Sequence, residues 1–331
     1  MAGNSMNNWS YSEVTARENK DGQLQAEVNV LVQTNDILQD MPVRESELEN
    51  GEEFDITTTL PQPYLLTWGE GRAATKGQVQ HGSEGVAWFG NQLRIDKEIL
   101  ANKSYAQQFL KNEETKFLEA MWQSLAEMVF YGSTADEPKE FDGLNIRYDS
   151  IVADEVIDNG GTAASNLTDI WLIQWDLYDC CMLFPKGSKG GVSREQMPDV
   201  ALSTQTDADN AVPDSQKKIA DFMRVNFDWH GGLFIKDRRR VKRIANIHQT
   251  VGNANSFKIE KFDEAVEAFD TPGQVYAYMN KRIRLQVRRA VDEKGNVLYP
   301  PNQPFAKPQM YLGEVPMRRC DRILLVGNQI T

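Results

Sequence analysis

The feature that most restricts how this chain can fold is residues 104–131, which carry an unbroken helical signal. Leu118, Met121, Trp122, Leu125, Met128 and Val129 fall at i, i+3, i+4, i+7, i+10 and i+11, one apolar face of a 3.6-residue period. Neither Pro nor Gly interrupts the run. Ser104 is placed to cap the first turn, and Gly132 stands where a left-handed residue ends a helix. At 1.5 Å per residue the helix is about 40 Å long, more than a compact domain requires, so it reads as a scaffold strut. Large apolar side chains concentrate from Phe117 onward. The first half carries Gln107, Gln108, Lys111, Asn112, Glu113, Glu114 and Lys116, with Tyr105, Phe109 and Leu110 as its large apolar groups. The expectation is that the second half anchors on the chain's own sheet, with Trp122 buried, and that the first half projects toward the glycine-rich loop that precedes the helix and toward a neighbouring subunit.

The 331 residues have room for one elaborated domain or two modest ones and a sizeable core. A mean hydropathy of -0.53 is low for such a core. Long segments lying outside the subunit's own core, covered by other chains, would reconcile the two. The net charge of -12 argues against a protein whose main task is gripping nucleic acid. Cys180, Cys181 and Cys320 are too few for a disulfide framework, and adjacent cysteines bridge poorly, so the expected setting is reducing and cytoplasmic. No apolar run approaches the ~18–20 residues that span a bilayer, and MAGNSMNNWSYSE has neither a basic nor an apolar leader region. The expectation is a soluble protein with no membrane contact.

Along the chain, residues 1 to about 50 are polar and become acidic, with short apolar pieces at 28–32 and at Ile37 and Leu38. They read either as a partly disordered tail or as an arm that orders against neighbouring chains. Residues 54–94 look extended, with 56–60 outbound and 85–93 returning. Between Gly69 and Gly90 lie six glycines, together with Trp88 and Phe89, and Trp68 directly precedes them. Long hairpins are marginal alone, so this one reads as lying on a partner chain, the alternative being a mobile surface loop. Pro138 and Gly143 punctuate a connector after the helix. Residues 170–175 and 180–184 read as short strands joined by a turn at 176–179, and 185–215 as a surface loop. Strands are expected between 218 and 247, an amphipathic helix at 257–269, and a strand at 275–279 running into Asn280 as N-cap of a helix that ends near Gly295. Residues 299–308 hold four prolines and read as a loop, and 323–326 as a buried strand. Helices and strands mix without regular βαβ alternation, an α+β architecture.

Signatures of chemistry are weak. The loose dinucleotide pattern Gly69-Glu-Gly71-Arg-Ala-Ala74 is followed by no helix. GSKGG at 187–191 lacks phosphate-loop spacing, and no G-x-S-x-G elbow exists. His81, His230 and His248 have no second His or Cys at ligand spacing. The chain is expected to be no enzyme, with no catalytic residue, cofactor or metal. Two basic clusters are sharper: Lys236, Arg238, Arg239, Arg240, Lys242 and Arg243, and then Lys281, Arg282, Arg284, Arg288 and Arg289. Neither has interleaved aromatics. Three readings stay open for them: solvated faces, contacts to acidic surfaces of sister subunits such as residues 36–55, and nucleic acid.

The order of these parts, with QTNDILQDMPV (33–43), FLEAMWQSLAEMVFYGS (117–133), EPKEFDGLNIRY (137–148), IWLIQWD (170–176), FPKGSKGG (184–191), FDWHGGLFIKDRRRVKRIANI (227–247), YMNKRIR (278–284) and VPMRRCDRILLV (315–326), resembles a tailed-bacteriophage major capsid protein of the Hong Kong 97-like fold, within a podophage-type family. The resemblance implies an N-terminal arm at 1–51, an extended loop at 52–95, a peripheral domain with a spine helix at 96–149, an axial domain at 150–300, and a C-terminal loop and closing strand at 301–331. It implies self-assembly into hexamers and pentamers that form an icosahedral shell around phage DNA, which is packed without sequence-specific binding. Partners would be a separate scaffolding protein, a portal and decoration proteins, with assembly in the host cytoplasm and residence in the virion. Trp68, Arg72, Lys76, Trp88, Arg238, Arg240 and Lys242 are the candidate intersubunit contacts. Lys76 lies in the loop that some shells of this fold cross-link to an Asn, but no local motif supports a cross-link here. The competing expectations are an encapsulin-type compartment and a phage accessory protein that binds nucleic acid through residues 236–243.

Overall fold

The computed structural model describes Arg17 and residues 33–101, 103–162, 165–188, 190–203, 219–293 and 310–331. The expectations for the apolar piece at 28–32, for the proline-rich stretch at 299–308 and for the helix end near Gly295 lie outside the described residues. In chain order come α1 (Ile37–Asp40), β1 (Val43–Glu45), β2 (Gly51–Thr59), β3 (Gln78–Gly85), β4 (Ala87–Asp96), α2 (Lys97–Ala101), α3 (Ala106–Tyr131), α4 (Leu144–Arg147), β5 (Val156–Asp158), β6 (Leu167–Gln174) and β7 (Cys180–Phe184). They are followed by β8 (Ser193–Ser203), β9 (Ile219–Ile235), β10 (Val241–His248), α5 (Ile259–Glu267), β11 (Val275–Met279), α6 (Lys281–Glu293), β12 (Met310–Leu312) and β13 (Val315–Arg319). Packing groups them into two compact units that interleave along the sequence.

The first unit contains Trp88–Leu125 and Gly191–Trp229. β4 and β8 both neighbour β9, and β8 runs antiparallel to it with Ser193 opposite Asp228. The residues expected to form a loop at 185–215 therefore include a strand. Its polar side chains are exposed from Ser193 to Gln196, so no apolar alternation announces it. On α3, Phe117 stacks on Phe227 with centroids 6.0 Å apart. The buried residues of this helix fall mostly at steps of four: Tyr105 just before it, then Phe109, Glu113, Met121, Leu125 and Val129. Each such step overshoots a turn by about 40°, so the stripe winds around the helix. The first half of α3 is packed and does not project, because Tyr105 and Phe109 turn inward while the polar residues cover the outside. Glu113, at 2% exposure, is held by Arg17 at 2.5 Å and Lys116 at 2.9 Å. Trp122 falls off the stripe and is 38% exposed, so its truncation costs less than that of a buried ring.

α3 starts at Ala106, whose N–H donates to Lys103 O, and no Ser104 cap bond occurs among the described residues. At its other end Gly132 is not left-handed. Glycine is required there by close approach: a Cβ would meet Phe141 O at 2.4 Å and Met128 O at 2.7 Å. Gly143 lies against the same turn and donates its N–H to Gly132 O at 2.9 Å.

The second unit contains residues Gln33–Ala87, Ala126–Gly190 and His230–Thr331. Its main sheet has the order β12-β13-β11-β6-β10-β5, with β13/β11 and β10/β5 parallel and the other pairs antiparallel. The central strand β6 is buried on both faces along its whole length. Ile170 and Leu172 share a core with Phe262 and Ala265 of α5 and Ile283 and Val287 of α6. The N-terminus of α6 is capped as expected, Asn280 Oδ1 accepting from Arg282 N at 3.2 Å. On the opposite face Trp171 packs on Phe130 and Tyr148. Arg243 sits over the Trp171 ring at 4.6 Å and donates to Tyr148 O (2.6 Å), Asn145 Oδ1 (2.8 Å) and Asp169 Oδ2 (2.5 Å).

A smaller set of strands places β7 between β1, parallel, and the His230–Ile235 end of β9, antiparallel. β6 and β7 therefore join different strands and do not form the hairpin expected across 176–179, although Asp176 and Cys180 make an isolated bridge. Residues 323–326 are not a strand either: Ile323 is buried, but Leu324 and Val326 are exposed. Side chains hold this tail, with Thr168 Oγ1 donating to Leu324 O at 2.6 Å and Asn280 Nδ2 to Ile323 O at 2.9 Å.

Replacing Arg243 by Met leaves Asp169 buried without its cation, and is expected to cost about 3–5 kcal/mol. Urea unfolding followed by tryptophan fluorescence measures it, and a loss below about 1 kcal/mol would show that the guanidinium is not a structural centre.

Candidate assembly surface

The least self-sufficient part of the chain is the β2–β3 ribbon. The two strands pair antiparallel from Gly51↔Gly85 to Thr59↔Gln78. The return strand is Gln78–Gly85, whereas the sequence pointed to 85–93; those later residues are largely β4 and neighbour β9. QVQHGSEG has one large apolar residue, Val79, and it is exposed, so the pairing rests on the backbone ladder and leaves no alternation to read.

The ribbon's base is clamped. Phe54 packs edge-on against Phe234 at 5.2 Å, and Arg44 lies over the same Phe234 ring while donating to Glu52 Oε1 at 2.6 Å. Arg147 grips both carboxylate oxygens of Glu84, with Nη2 to Oε2 at 2.5 Å, and also donates to Asp142 O. Burial disfavours the charged Arg147, but the Glu84 hydrogen bond and charge outweigh it and leave its pKa above the ordinary value. Gly232 lets the strand pass close under Gly85, where a Cβ would lie 2.2 Å from its carbonyl oxygen.

Beyond the base, residues 60–76 are all exposed. Leu65 and Trp68 are 99% and 104% exposed, with Leu60, Tyr64 and Leu66 beside them in sequence. The tip is nonetheless shaped. Glu70 N–H donates to Thr67 O at 3.0 Å, and Gly69 has φ +89°, the geometry of a type II turn with Trp68 at its first corner. Tyr64 Oη donates to Ala73 O at 2.8 Å across the tip.

Of the residues singled out from sequence, Trp68, Arg72 and Lys76 share this tip and are exposed. Trp88 belongs to the first unit, 69% exposed, with its indole N–H on Asp228 Oδ1 at 3.1 Å. Arg238 is exposed, stacks over Tyr148 and donates to Arg147 O. Arg240 is half-buried on Asp179 at 2.8 Å, and Lys242 is 4% exposed. Sequence reasoning passed over Leu65 and Leu66, whose signal was the apolar run YLLTW at 64–68, and the Glu84–Arg147 clamp, which spans 63 positions.

Other chemistry is quiet. Among the described residues no group of three or more His, Cys, Asp or Glu side chains could hold a metal ion, and no helix is long and apolar enough to cross a membrane. Cys180, Cys181 and Cys320 are free and buried. Burial pushes the Cys181 thiol up to about 11 and Cys320 up to about 12, so both stay protonated at neutral pH.

A spine helix, an outstretched ribbon and a helix-covered central sheet together define a shell subunit of the Hong Kong 97-like capsid fold. The fold is similar to that of a chain of bacteriophage Epsilon15, with TM-score 0.75 and 21% identity over 100% of this chain and 99% of that one. Further similarity is found to the bacteriophage JBD30 capsid (TM-score 0.48, 12% identity, 89% and 93% covered) and to Mycobacterium phage Adephagia (0.45, 9%, 71% and 97%). No curated protein matches the sequence. Residues 19–331 match the family described as Major capsid protein GP7, and the chain belongs to that family.

On the ribbon, His81 faces Asp55 across the strands, Nδ1 to Oδ1 at 2.9 Å, with Glu53 at 3.7 Å. The Asp55 hydrogen bond raises the His81 pKa above 6.5. The sign follows: this contribution to the ribbon is complete below about pH 6.5 and is lost as pH rises through the raised folded-state value. An NMR titration of His81 should give a midpoint above 6.5 that relaxes toward it at 1 M salt, and a midpoint at or below 6.5 in low salt would remove the interaction.

Proposed function

We propose that this major capsid protein closes with copies of itself, as hexamers and pentamers, into an icosahedral shell around phage DNA, and that its β2–β3 tip lies on a neighbouring subunit. In this reading it has no catalytic role, is built in the host cytoplasm with a scaffolding protein and a portal, and takes decoration proteins on the finished shell. Residues 1–51 act as the arm, 52–95 as the extended loop, 96–149 as the peripheral domain, 150–300 as the axial domain and 301–331 as the closing segment.

The observation that carries the reading is the tip, where Leu65 is uncovered and Trp68, equally uncovered, stands at the corner of a hydrogen-bonded turn. A Trp of ~200 Å² left in water forgoes several kcal/mol of burial, which a sister subunit supplies without new chemistry. Trp68, Arg72 and Lys76 are the contacts on this side, with Trp88 and Arg238 as further candidates; Arg240 is paired with Asp179 and Lys242 is buried within the chain. No observation favours a cargo compartment or a nucleic-acid accessory protein.

The test is deletion of residues 62–76 with a short Gly-Ser turn in their place, which spares the paired residues of β2 and β3. The expected product melts like the unaltered chain, because surface changes of this kind stay within about 0.5 kcal/mol, but forms no shells by electron microscopy. Normal shells from the deleted chain would overturn the reading, as would unfolding of the monomer.

A further inference from the structure

In the second unit, α5 and α6 lie on the same side of the six-stranded sheet, sharing its core through Phe262, Ala265, Ile283 and Val287. α5 packs over β10 and β5 and α6 over β13, in the order β12-β13-β11-β6-β10-β5, while Gln286 of α6 also donates to His248 O at the end of β10 and accepts from Phe257 N just before α5. Their outer faces carry opposite charge. On α5, Glu260, Asp263 and Glu267 are exposed at i, i+3 and i+7. On α6, Lys281 and Arg288 are exposed and Arg284 is half-exposed, at the same i, i+3 and i+7 spacing. Each stripe is therefore about 10 Å long.

These six charges have no ion-pair partner among the described residues, although nearby charges do: Glu264 holds Lys261 at 2.7 Å. No ion pair joins α5 to α6 among the described residues. Local helix stability does not account for the basic stripe either. Lys281 and Arg284 occupy the first turn of α6, where the helix dipole disfavours positive charge.

The geometry points to a head-to-tail contact between copies of this chain in which the acidic face of α5 on one subunit pairs with the basic face of α6 on the next. The two stripes, of equal length and opposite sign, make no ion pair with each other among the described residues, so each is left for another molecule. A repeated rotation brings the acidic stripe of one copy to the basic stripe of the next, and such a heterologous contact makes a ring where the rotation closes. The inference rests on the shell-subunit reading and names the surface by which neighbours recognise each other's order.

Charge exchange tests it. Glu260→Lys/Asp263→Lys/Glu267→Lys makes both stripes positive, and Lys281→Glu/Arg284→Glu/Arg288→Glu makes both negative. Each altered protein is expected to assemble only at a concentration at least ~10-fold higher than the unaltered chain, by light scattering in low salt. The chain carrying all six substitutions has its polarity reversed and is expected to assemble like the original. An equal mixture of the two triple variants alternates in sign around a ring, so it should restore six-membered rings and not five-membered ones in electron micrographs. Melting curves establish that each variant is folded; for one that is not, Gln or Asn at the same three positions replaces it, with a smaller shift in the same direction.

Assembly of either triple variant at the original concentration would overturn the pairing. So would a folded six-substituted chain that fails to assemble. Loss of salt-dependent binding to a DNA duplex with assembly unchanged would assign the α6 face to nucleic acid instead. Assembly of the unaltered chain, read in the same samples, tests the shell reading, whereas the comparison among variants tests only the charge pairing.

Discussion

The second unit turns on one guanidinium. Arg243 is 2% exposed, yet it contacts the elements that must agree there: Asp169 at the start of β6, Asn145 of α4, the carbonyl of Tyr148 and the face of Trp171. Trp171 in turn meets Phe130 near the end of α3. A buried charge is costly unless paired and hydrogen-bonded, so this arrangement is stable only when β6, β10 and the α4 connector are all in place. Whether such a pair adds net stability over an apolar replacement is secondary. It makes wrong registers expensive, because a one-residue slip of β10 against β6 would send the charge to the other face of the sheet.

The β2–β3 ribbon obeys a different rule. A two-stranded ribbon is marginal alone, and this one has polar residues on both faces over most of its length. Its base is fixed by charge-assisted bonds at Arg44–Glu52 and Arg147–Glu84 and by the Phe54–Phe234 contact, which need little apolar area. Most of the ribbon's large apolar groups stand at the tip, where no described residue covers Leu65 or Trp68. Firm base and bare tip are two consequences of one allocation of apolar side chains.

What could be read in the sequence follows from the same physics. The spine helix, the α5 and α6 helices, the Asn280 cap and the α+β class were legible because each is written in local spacing. The strands β3 and β8 were not, because exposed or polar strands pair through backbone groups that every residue possesses. The polar first half of α3 misled because Tyr105 and Phe109 at steps of four suffice to bury that half when the stripe winds. The tip was half legible: Trp68 stood out, but the turn that aims it depends on Gly69 having positive φ, one of six glycines that look alike in sequence. Lys242 and Arg243 looked like surface charges because Asp169 lies 74 positions from Arg243.

That last point decides how the net charge of -12 should be read. The cluster at 236–243 was the stronger argument for nucleic acid by density alone. In the fold, Arg239 is paired with Asp237, Arg240 with Asp179 and Arg243 with Asp169, while Lys242 is inside. Half of its six positive charges are paired within the chain before any partner arrives. The α6 cations are fewer, yet Lys281, Arg284 and Arg288 have no ion-pair partner among the described residues, on the same side of the sheet as an equally unpaired acidic stripe. Charge density along the sequence therefore overstates what this cluster offers a partner. What a partner meets is charge left over after folding, and part of that remainder lies on two helices of one layer, acidic on α5 and basic on α6.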